Sequence, residues 1–372
     1  MAPNHFIRIG LTEAHGMATE VSQFPAPGVH YSFLDTWLPA PRIIHSPIKG
    51  FLRRYEAEGH DLIEAVLSPV ATKSRWIYSC ENFQAATAFG VFGCPLPRSL
   101  RVAYIKRLLL RENCKKVVFW SQAGRDTLHT YAGVDDEELL QKVTVVYPAI
   151  REAPDRLVRF SDGDVALLFS GDFFRKGGVN VVDAFERARR LYPSIRLTLC
   201  CDEKIDFNTS NAALRTEYLE RVKRTDGIAL LGRVRRDELI HTILPETDIY
   251  LLPTYTETFG MSVLEAMAFG IPVIATNCFA IPEMLEHDVS GLLIDTKQFD
   301  CERLFRGYVV TDIPADFREY VTEHLFASMC RLIESAALRR TLGMRALTVA
   351  RTKFSFERRN DRMLEVYEEA LH

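Results

Sequence analysis

The sequence predicts an α/β protein built from two doubly wound, Rossmann-like domains in series. Short apolar runs rich in β-branched residues alternate with longer amphipathic segments along the whole chain, the sequence form of βαβ units. The length, 372 residues, suits two domains of ordinary size, each able to bury its own core. The alternation falls into two halves joined near Pro148–Val158. The expected boundaries are 1–153 for an N-terminal domain, 154–351 for a C-terminal domain, and 352–372 for a terminal helix that crosses back to the first.

In the first half, strands are expected at Arg8–Leu11, Val29–Leu34, Leu62–Leu67, Trp76–Cys80, Val117–Ser121 and Val143–Tyr147. Helical patterns occupy Ser99–Cys114 and Gln122–Ala132, the latter with Ser121 at its N-cap. In the second half, Val165–Ser170, Ile195–Cys201, Ile228–Leu231, Ile249–Leu252, Pro272–Thr276 and Gly291–Asp295 read as strands. Helices are expected at Gly178–Tyr192, Ala213–Thr225, near Arg236–Leu244, at Phe259–Phe269 and at Tyr320–Arg340. The stretch Thr296–Asp316 reads as irregular and receives no role. The terminal segment Thr352–His372 repeats Met363-Leu364, Val366-Tyr367 and Leu371 at helical spacing.

Hydrophobic residues make up 47% and charged residues 26%, the balance of a soluble globular protein. A formal net charge of -3 provides no global attraction to nucleic acid or membrane. The eight cysteines, at 80, 94, 114, 200, 201, 278, 301 and 330, show no CxxC or Cys/His metal spacing, and several lie in apolar runs. They read as reduced core residues of a cytoplasmic protein. No signal peptide stands at Met1, and no run of about 18 apolar residues offers a membrane span.

The richest segment is Pro253-Thr-Tyr-Thr-Glu257-Thr-Phe-Gly-Met-Ser-Val-Leu-Glu265-Ala-Met-Ala-Phe-Gly270-Ile-Pro272. A strand ends at Pro253, a polar loop carries Glu257, and a helix begins near Phe259. Leu264, Met267 and Ala268 form its apolar stripe, and Gly270 with Pro272 stops it. The helix start offers amides from Phe259 through Gly260 and Met261 to Ser262, and Gly260 lets a ligand approach the backbone closely. Those donors and the positive helix end favour an anion such as a diphosphate. Glu265 lies one turn further in, about 6 Å along the axis from Met261 at 1.5 Å per residue. Its carboxylate suits two vicinal hydroxyls, and Glu257 stands on the other side of the anion position. Two isolated glutamates would read as a solvated helix residue and a loop residue; the surrounding run carries the functional reading.

That run resembles the signature of the family 4 retaining glycosyltransferases, E-x7-E followed by EAMA-G-PV. Glu257 and Glu265 match its acids. Phe259, Gly260, Ala266, Met267, Ala268, Gly270, Pro272 and Val273 match its framework. Ile281-Pro-Glu283 and Ser290-Gly-Leu-Leu match two later elements, so the resemblance covers most of 165–295. It implies a GT-B fold, two Rossmann-like domains facing across a cleft, and transfer of a hexose from a nucleotide-diphosphate sugar to an acceptor hydroxyl with retained anomeric configuration. It implies that Glu265 binds the ribose hydroxyls and Glu257 the donor sugar. The donor, UDP-, GDP- or ADP-linked, is a substrate, and no cofactor is expected.

A second, basic element is Phe169-Ser-Gly171-Asp-Phe-Phe-Arg175-Lys176-Gly177-Gly178. A strand ends in a glycine-rich turn holding two cations ahead of a helix, an arrangement that offers amides and positive charge to a departing diphosphate. The other reading is a basic surface turn. In the family this loop supplies an arginine and a lysine to the phosphates. Lys176 fits; Asp172 replaces the arginine expected after the first glycine, so Arg175 is the substitute. Gly171 and Val234, the latter in Leu231-Gly-Arg-Val, complete the expected donor contacts, since the latter segment resembles the one whose backbone reads the nucleotide base. No DxD motif stands at a suitable position, so no metal is expected.

The first half departs from the family. Gly10-Leu-Thr-Glu-Ala-His15-Gly16-Met holds no GxGxxG, which argues against a dinucleotide site. The acceptor-side candidates are His15, Glu81 and Asn82. A lone histidine such as His15 has a structural reading too, and Glu81 and Asn82 either hydrogen-bond a sugar or cap a helix. Two rival functions stay open: a sugar-nucleotide epimerase of the same fold, and a non-catalytic sugar-nucleotide-binding subunit. Finally, Arg98–Lys116 carries seven cations against one acid, Glu112, with Val102, Ile105, Leu108, Leu109 and Leu110 on an apolar face. The segment fits an anionic membrane surface, a helix packed on the sheet with solvated charges, or a polyanionic acceptor. The partners so implied are the nucleotide-sugar donor, a sugar, glycan or lipid-linked acceptor, and peripherally a membrane, with no nucleic acid.

Overall fold

In the computed structural model the apolar runs become two six-stranded, wholly parallel sheets. The structure describes residues 6–14, 16–37, 54–55, 57, 59–87, 90–91, 94–151, 164–304 and 310–372. The chain forms two units, Met1–Ala149 with Phe354–His372, and Ile150–Lys353.

The first unit contains β1 (Ile7–Leu11), β2 (Val29–Phe33), β3 (Leu62–Val66), β4 (Trp76–Cys80), β5 (Cys114–Phe119) and β6 (Val143–Val145), in the order β6-β5-β4-β3-β1-β2. Every residue of β3 and β4 is buried, as expected of parallel strands covered on both faces. Helices α1 (Gly16–Gln23), α2 (Arg98–Leu109) and α3 (Gln122–Thr130) pack around the sheet. Ser121 caps α3, its Oγ accepting from Gly124 N at 2.9 Å. A Cβ on Gly124 would stand 2.1 Å from the Glu81 carbonyl oxygen, so only glycine allows α3 to sit this close to the loop after β4.

The helix expected over Ser99–Cys114 ends at Leu109, because the polar run Arg111-Glu112-Asn113 turns the chain into β5. Asn113 holds that turn, donating to the carbonyls of Thr72 at 2.7 Å and Ser74 at 2.9 Å.

The C-terminal helix Phe356–Leu371, capped by Ser355, belongs to this unit. Tyr367 Oη donates to Glu64 Oε2 at 2.5 Å and lies 2.9 Å from Tyr31 Oη, while Asn360 donates to the Phe24 carbonyl at 2.9 Å. Beside this cluster a cavity of about 20 Å³, lined by Met17, Glu64, Ser79, Trp120 and Arg359 among others, has room for one water.

The second unit contains β7 (Ala166–Ser170), β8 (Arg196–Cys200), β9 (Ile228–Leu230), β10 (Ile249–Leu252), β11 (Val273–Thr276) and β12 (Leu292–Ile294), in the order β9-β8-β7-β10-β11-β12. The order reverses direction between β7 and β10, the point beyond which ligands bind in such sheets. Its helices are α4 (Gly178–Leu191), α5 (Ala212–Arg224), α6 (Met261–Ala268), α7 (Ala315–Glu334) and α8 (Ala336–Lys353).

Two helical expectations need correction. Near Arg236–Leu244 one α-helical turn passes into a π-helical stretch at Leu239–Ile243 and a 3-10 turn at Leu244–Glu246. Pro245 supplies no N–H and its ring crowds the preceding turn, so a regular ladder does not run through it. The single helix expected at Tyr320–Arg340 is two, broken at Ser335. Buried Arg339 donates to the carbonyls of Leu332 at 2.6 Å and Ile333 at 3.1 Å, satisfying the end of α7. Of the unassigned stretch 296–316, Cys301–Leu304 forms a short helix and 305–309 lie outside the described residues.

Candidate active site

Two loops at the carboxyl ends of β7 and β10 make the centre of the site. Gly171 leaves β7 with φ +107° and Gly177 closes the loop with φ +82°, both in the left-handed region. A Cβ on Gly177 would meet the Pro253 carbonyl oxygen at 2.0 Å. Tyr255 N donates to the Arg175 carbonyl at 3.0 Å, so the two loops are joined along their backbones.

This contact brings Lys176 Nζ into an ion pair with Glu257 Oε2, the two side chains 13% and 7% exposed. Burial alone would raise the Glu257 carboxyl, but Lys176, the Thr258 N–H and Arg175 outweigh it and hold Glu257 below the usual carboxylate range. Arg175 lies 3.5 Å from Asp172, whose Oδ1 accepts from Arg175 N at 3.2 Å. Burial pushes the Asp172 carboxyl above its ordinary range against that pairing. Cys278, beside Glu257, has its thiol raised to about 12 by burial, far from a reactive thiolate.

Helix α6 points its amino end at the same place. It begins at Met261, two residues later than expected, because Gly260 takes the left-handed conformation at the N-cap with φ 106°. Phe259 is buried in the unit's interior. Met261 and Ser262 supply the first helical amides, Val263 N already bonding to the Gly260 carbonyl at 2.9 Å. Tyr250, on β10, hydrogen-bonds Ser170 Oγ at 2.7 Å, and its hydroxyl is pushed upward by burial while Ser170 and Ser262 hydrogen-bond it.

Glu265 lies one turn inside, 14% exposed, and pairs with Arg236 at 3.2 Å. That partner was not among the expected site residues; Arg236 reads in the sequence as an ordinary first-turn helix residue. Val234 sits on the same turn after β9, between Arg236 and Arg233, and Arg233 pairs with Asp206 at 2.8 Å. The loops thus gather Gly171, Arg175, Lys176, Val234, Glu257, Gly260 to Ser262 and Glu265 along one edge of one sheet.

Residues 151–304 match the family model for glycosyl transferases group 1. The chain is 26% identical over 236 residues to an uncharacterised glycosyltransferase of Methanocaldococcus jannaschii, covering 63% of this chain and 56% of that protein. It is 25% identical over 219 residues to the D-inositol 3-phosphate glycosyltransferase of Corynebacterium kroppenstedtii, covering 54% and 46%. The chain therefore spans about half the length of the curated relatives it matches. A Rickettsia africae glycosyltransferase structure superposes with TM-score 0.64 at 16% identity, covering 99% of both chains. Anabaena HepE in complex with UDP and glucose superposes with TM-score 0.62 at 15% identity, covering 98% of this chain and 100% of that one. Identities this low speak for the fold alone. The fold is GT-B, two Rossmann-like domains.

The group 1 stretch contains every donor-side residue named above and none of the acceptor-side ones. His15 lies outside the described residues. Asn82 is a helix cap, its Oδ1 accepting from Ala85 N at 2.8 Å ahead of the short helix Phe83–Ala86, which answers for this residue which of its two readings holds. Glu81 lies beside it in the first unit, after β4.

In α2, Ile105, Leu108 and Leu109 are buried in the core, and Val102 and Leu110 pack against it. Lys106 pairs with Asp136 at 2.8 Å, Lys116 pairs with Glu369, and Arg101 donates to the Thr87 carbonyl at 2.6 Å. The apolar face offered to a membrane thus serves the sheet. Leu100, Tyr104, Arg107 and Arg111 remain exposed. No helix among the described residues is long and apolar enough to cross a membrane. Among the described residues, no three His, Cys, Asp or Glu side chains gather as a metal cluster, and the cysteines are free thiols.

Proposed function

We propose that this chain is a retaining hexosyltransferase of glycosyltransferase family 4 that moves a hexose from a nucleotide-diphosphate sugar to an acceptor hydroxyl of a sugar, glycan or lipid-linked molecule, without a metal. The observation that carries the reading is the convergence of Lys176, Glu257 and the amino end of α6 at the β7/β10 reversal. When the bond from the sugar's anomeric carbon to the leaving oxygen breaks, the electron pair goes to the diphosphate and positive charge develops on the ring. Lys176, Arg175 and the Met261 and Ser262 amides are fixed where that negative charge appears, and preorganised charge of this kind usually lowers a barrier more than any other single effect. Glu257, kept ionised by Lys176, faces the sugar side as hydrogen-bond acceptor and stabilises ring charge. Glu265 takes the ribose hydroxyls.

HepE was crystallised with UDP-glucose, which makes UDP-hexoses the first donors to try. Incubation with UDP-, GDP- and ADP-hexoses, followed by release of nucleoside diphosphate, tests the reading. Epimerised donor without hydrolysis, or binding without turnover, overturns it. A peripheral membrane role for 98–116 now rests on Leu100, Tyr104, Arg107 and Arg111; co-sedimentation with anionic vesicles that weakens as salt rises supports it, and no binding at low salt removes it.

A further inference from the structure

Glu265 is the acid nearest to where a diphosphate would meet α6, and a mostly buried carboxylate so close to an arriving anion opposes it unless its charge is compensated. Arg236 provides that compensation. Its Nη2 reaches Glu265 Oε1 at 3.2 Å from a turn on the other side of the site. A carboxylate has about four lone-pair positions, so one guanidinium contact at Oε1 leaves Oε2 and a second position for a vicinal diol. The turn carrying Arg236 is held at its other end too. Arg233 pairs with Asp206 at 2.8 Å, and the Asp206 carbonyl accepts from Phe173 N at 2.7 Å in the β7 loop that carries Arg175 and Lys176. The carboxylate, the turn after β9 and the cationic loop are therefore connected through two ion pairs and a backbone bond. The irregular π-helical stretch that follows Arg236 replaces a regular helix here, and such stretches recur at functional sites.

We propose that Arg236 is a positioning residue for nucleoside diphosphates with an intact ribose diol: it neutralises Glu265 and fixes its carboxylate so that the remaining lone pairs meet the two hydroxyls. The inference rests on the reading of Glu265 as the ribose acceptor. Calorimetric titration with UDP, ADP and GDP, and with the 2′-deoxy form of the tightest binder, tests it in the wild type, R236A, R236K, E265Q and the R236A/E265Q double variant, each checked for an unchanged thermal midpoint. R236A is expected to weaken the ribonucleotide roughly three- to ten-fold, the range for a half-exposed ion pair, and to lose much of the preference over the deoxy form. R236K should recover part of both, added salt should shrink the loss, and the loss should vanish in the E265Q background. Unchanged or tighter binding by R236A, or an equal loss with and without Glu265, overturns the role of Arg236 alone. If E265Q binds ribo and deoxy forms as the wild type does, the Glu265 reading itself is wrong and the inference falls with it.

Discussion

Gly177 lies so close to Pro253 that a single added carbon would stand 2.0 Å from the proline carbonyl oxygen. The glycine also holds φ +82°, where an L side chain is strained whatever the space. Both costs apply to Gly177→Ala, which should destabilise the second unit by about 2–4 kcal/mol. The clash separates the loops that bring Lys176 to Glu257, so turnover should fall even at temperatures where the variant is folded. Thermal unfolding with donor hydrolysis on the folded fraction checks both. A variant with wild-type midpoint and rate would mean that the loop contact positions nothing.

The Lys176–Glu257 pair links charge to stability. Glu257 has its carboxyl lowered in the folded state, so the pair stabilises the fold above the unfolded carboxylate value, and that stability is lost as pH falls through the folded value. Lys176→Met leaves a carboxylate only 7% exposed without its main partner, at a cost of roughly 3–5 kcal/mol near neutral pH. Protonation of Glu257 relieves that cost, so the gap between variant and wild type should narrow on acidification. The Lys176→Met/Glu257→Gln double variant should lose less than the single one. A gap that is constant between pH 7 and pH 4 contradicts the buried pairing.

In kinetics the cation and the helix acid should separate. Lys176→Ala removes a charge-assisted contact to the leaving group, costing on the order of 2–4 kcal/mol in the barrier, and should lower kcat with saturating donor. Glu265→Ala should raise KM for donor, its contacts being to a part of the molecule whose charge does not change. Near-normal kcat for Lys176→Ala would remove the phosphate role assigned to it.

Much of this site is legible in the sequence because its parts are local. Strand, Pro253, polar loop, Gly260, helix and the Gly270-Ile-Pro272 stop follow one another within a single stretch, each with its own stereochemical reason. The start of α6 shifts by two residues because a left-handed N-cap glycine and a buried phenylalanine before it look, as letters, like the first turn of the helix. Arg236 escaped because its partner Glu265 lies beyond the next strand, and one-dimensional spacing holds no signal for an ion pair between loops. Asn82 carried two readings of equal weight, and only the position of the Ala85 amide separates them. The break at Ser335 was hidden because α7 and α8 both continue an amphipathic pattern, while the arginine that satisfies the end of α7 lies inside the next helix.

The C-terminal helix offers the last test. Tyr367 places its hydroxyl between Glu64 of β3, at 2.5 Å, and the Tyr31 hydroxyl of β2, at 2.9 Å. Glu64 is 2% exposed, so its carboxylate has little water to fall back on. Burial pushes the Tyr367 hydroxyl well above its ordinary range, which keeps it protonated and donating. Tyr367→Phe keeps the ring in its packed position and removes only the donor, so the expected cost is that of a buried acceptor left short of a partner, about 1–3 kcal/mol. For a unit of this size each kcal/mol shifts the unfolding midpoint by roughly 2–4 °C. Tyr367→Phe with Glu64→Leu should recover part of the loss, because removing both polar partners is cheaper than orphaning one. A Tyr367→Phe midpoint equal to that of the wild type would show that packing alone, through Met363, Val366 and Ala370, holds the helix to its sheet.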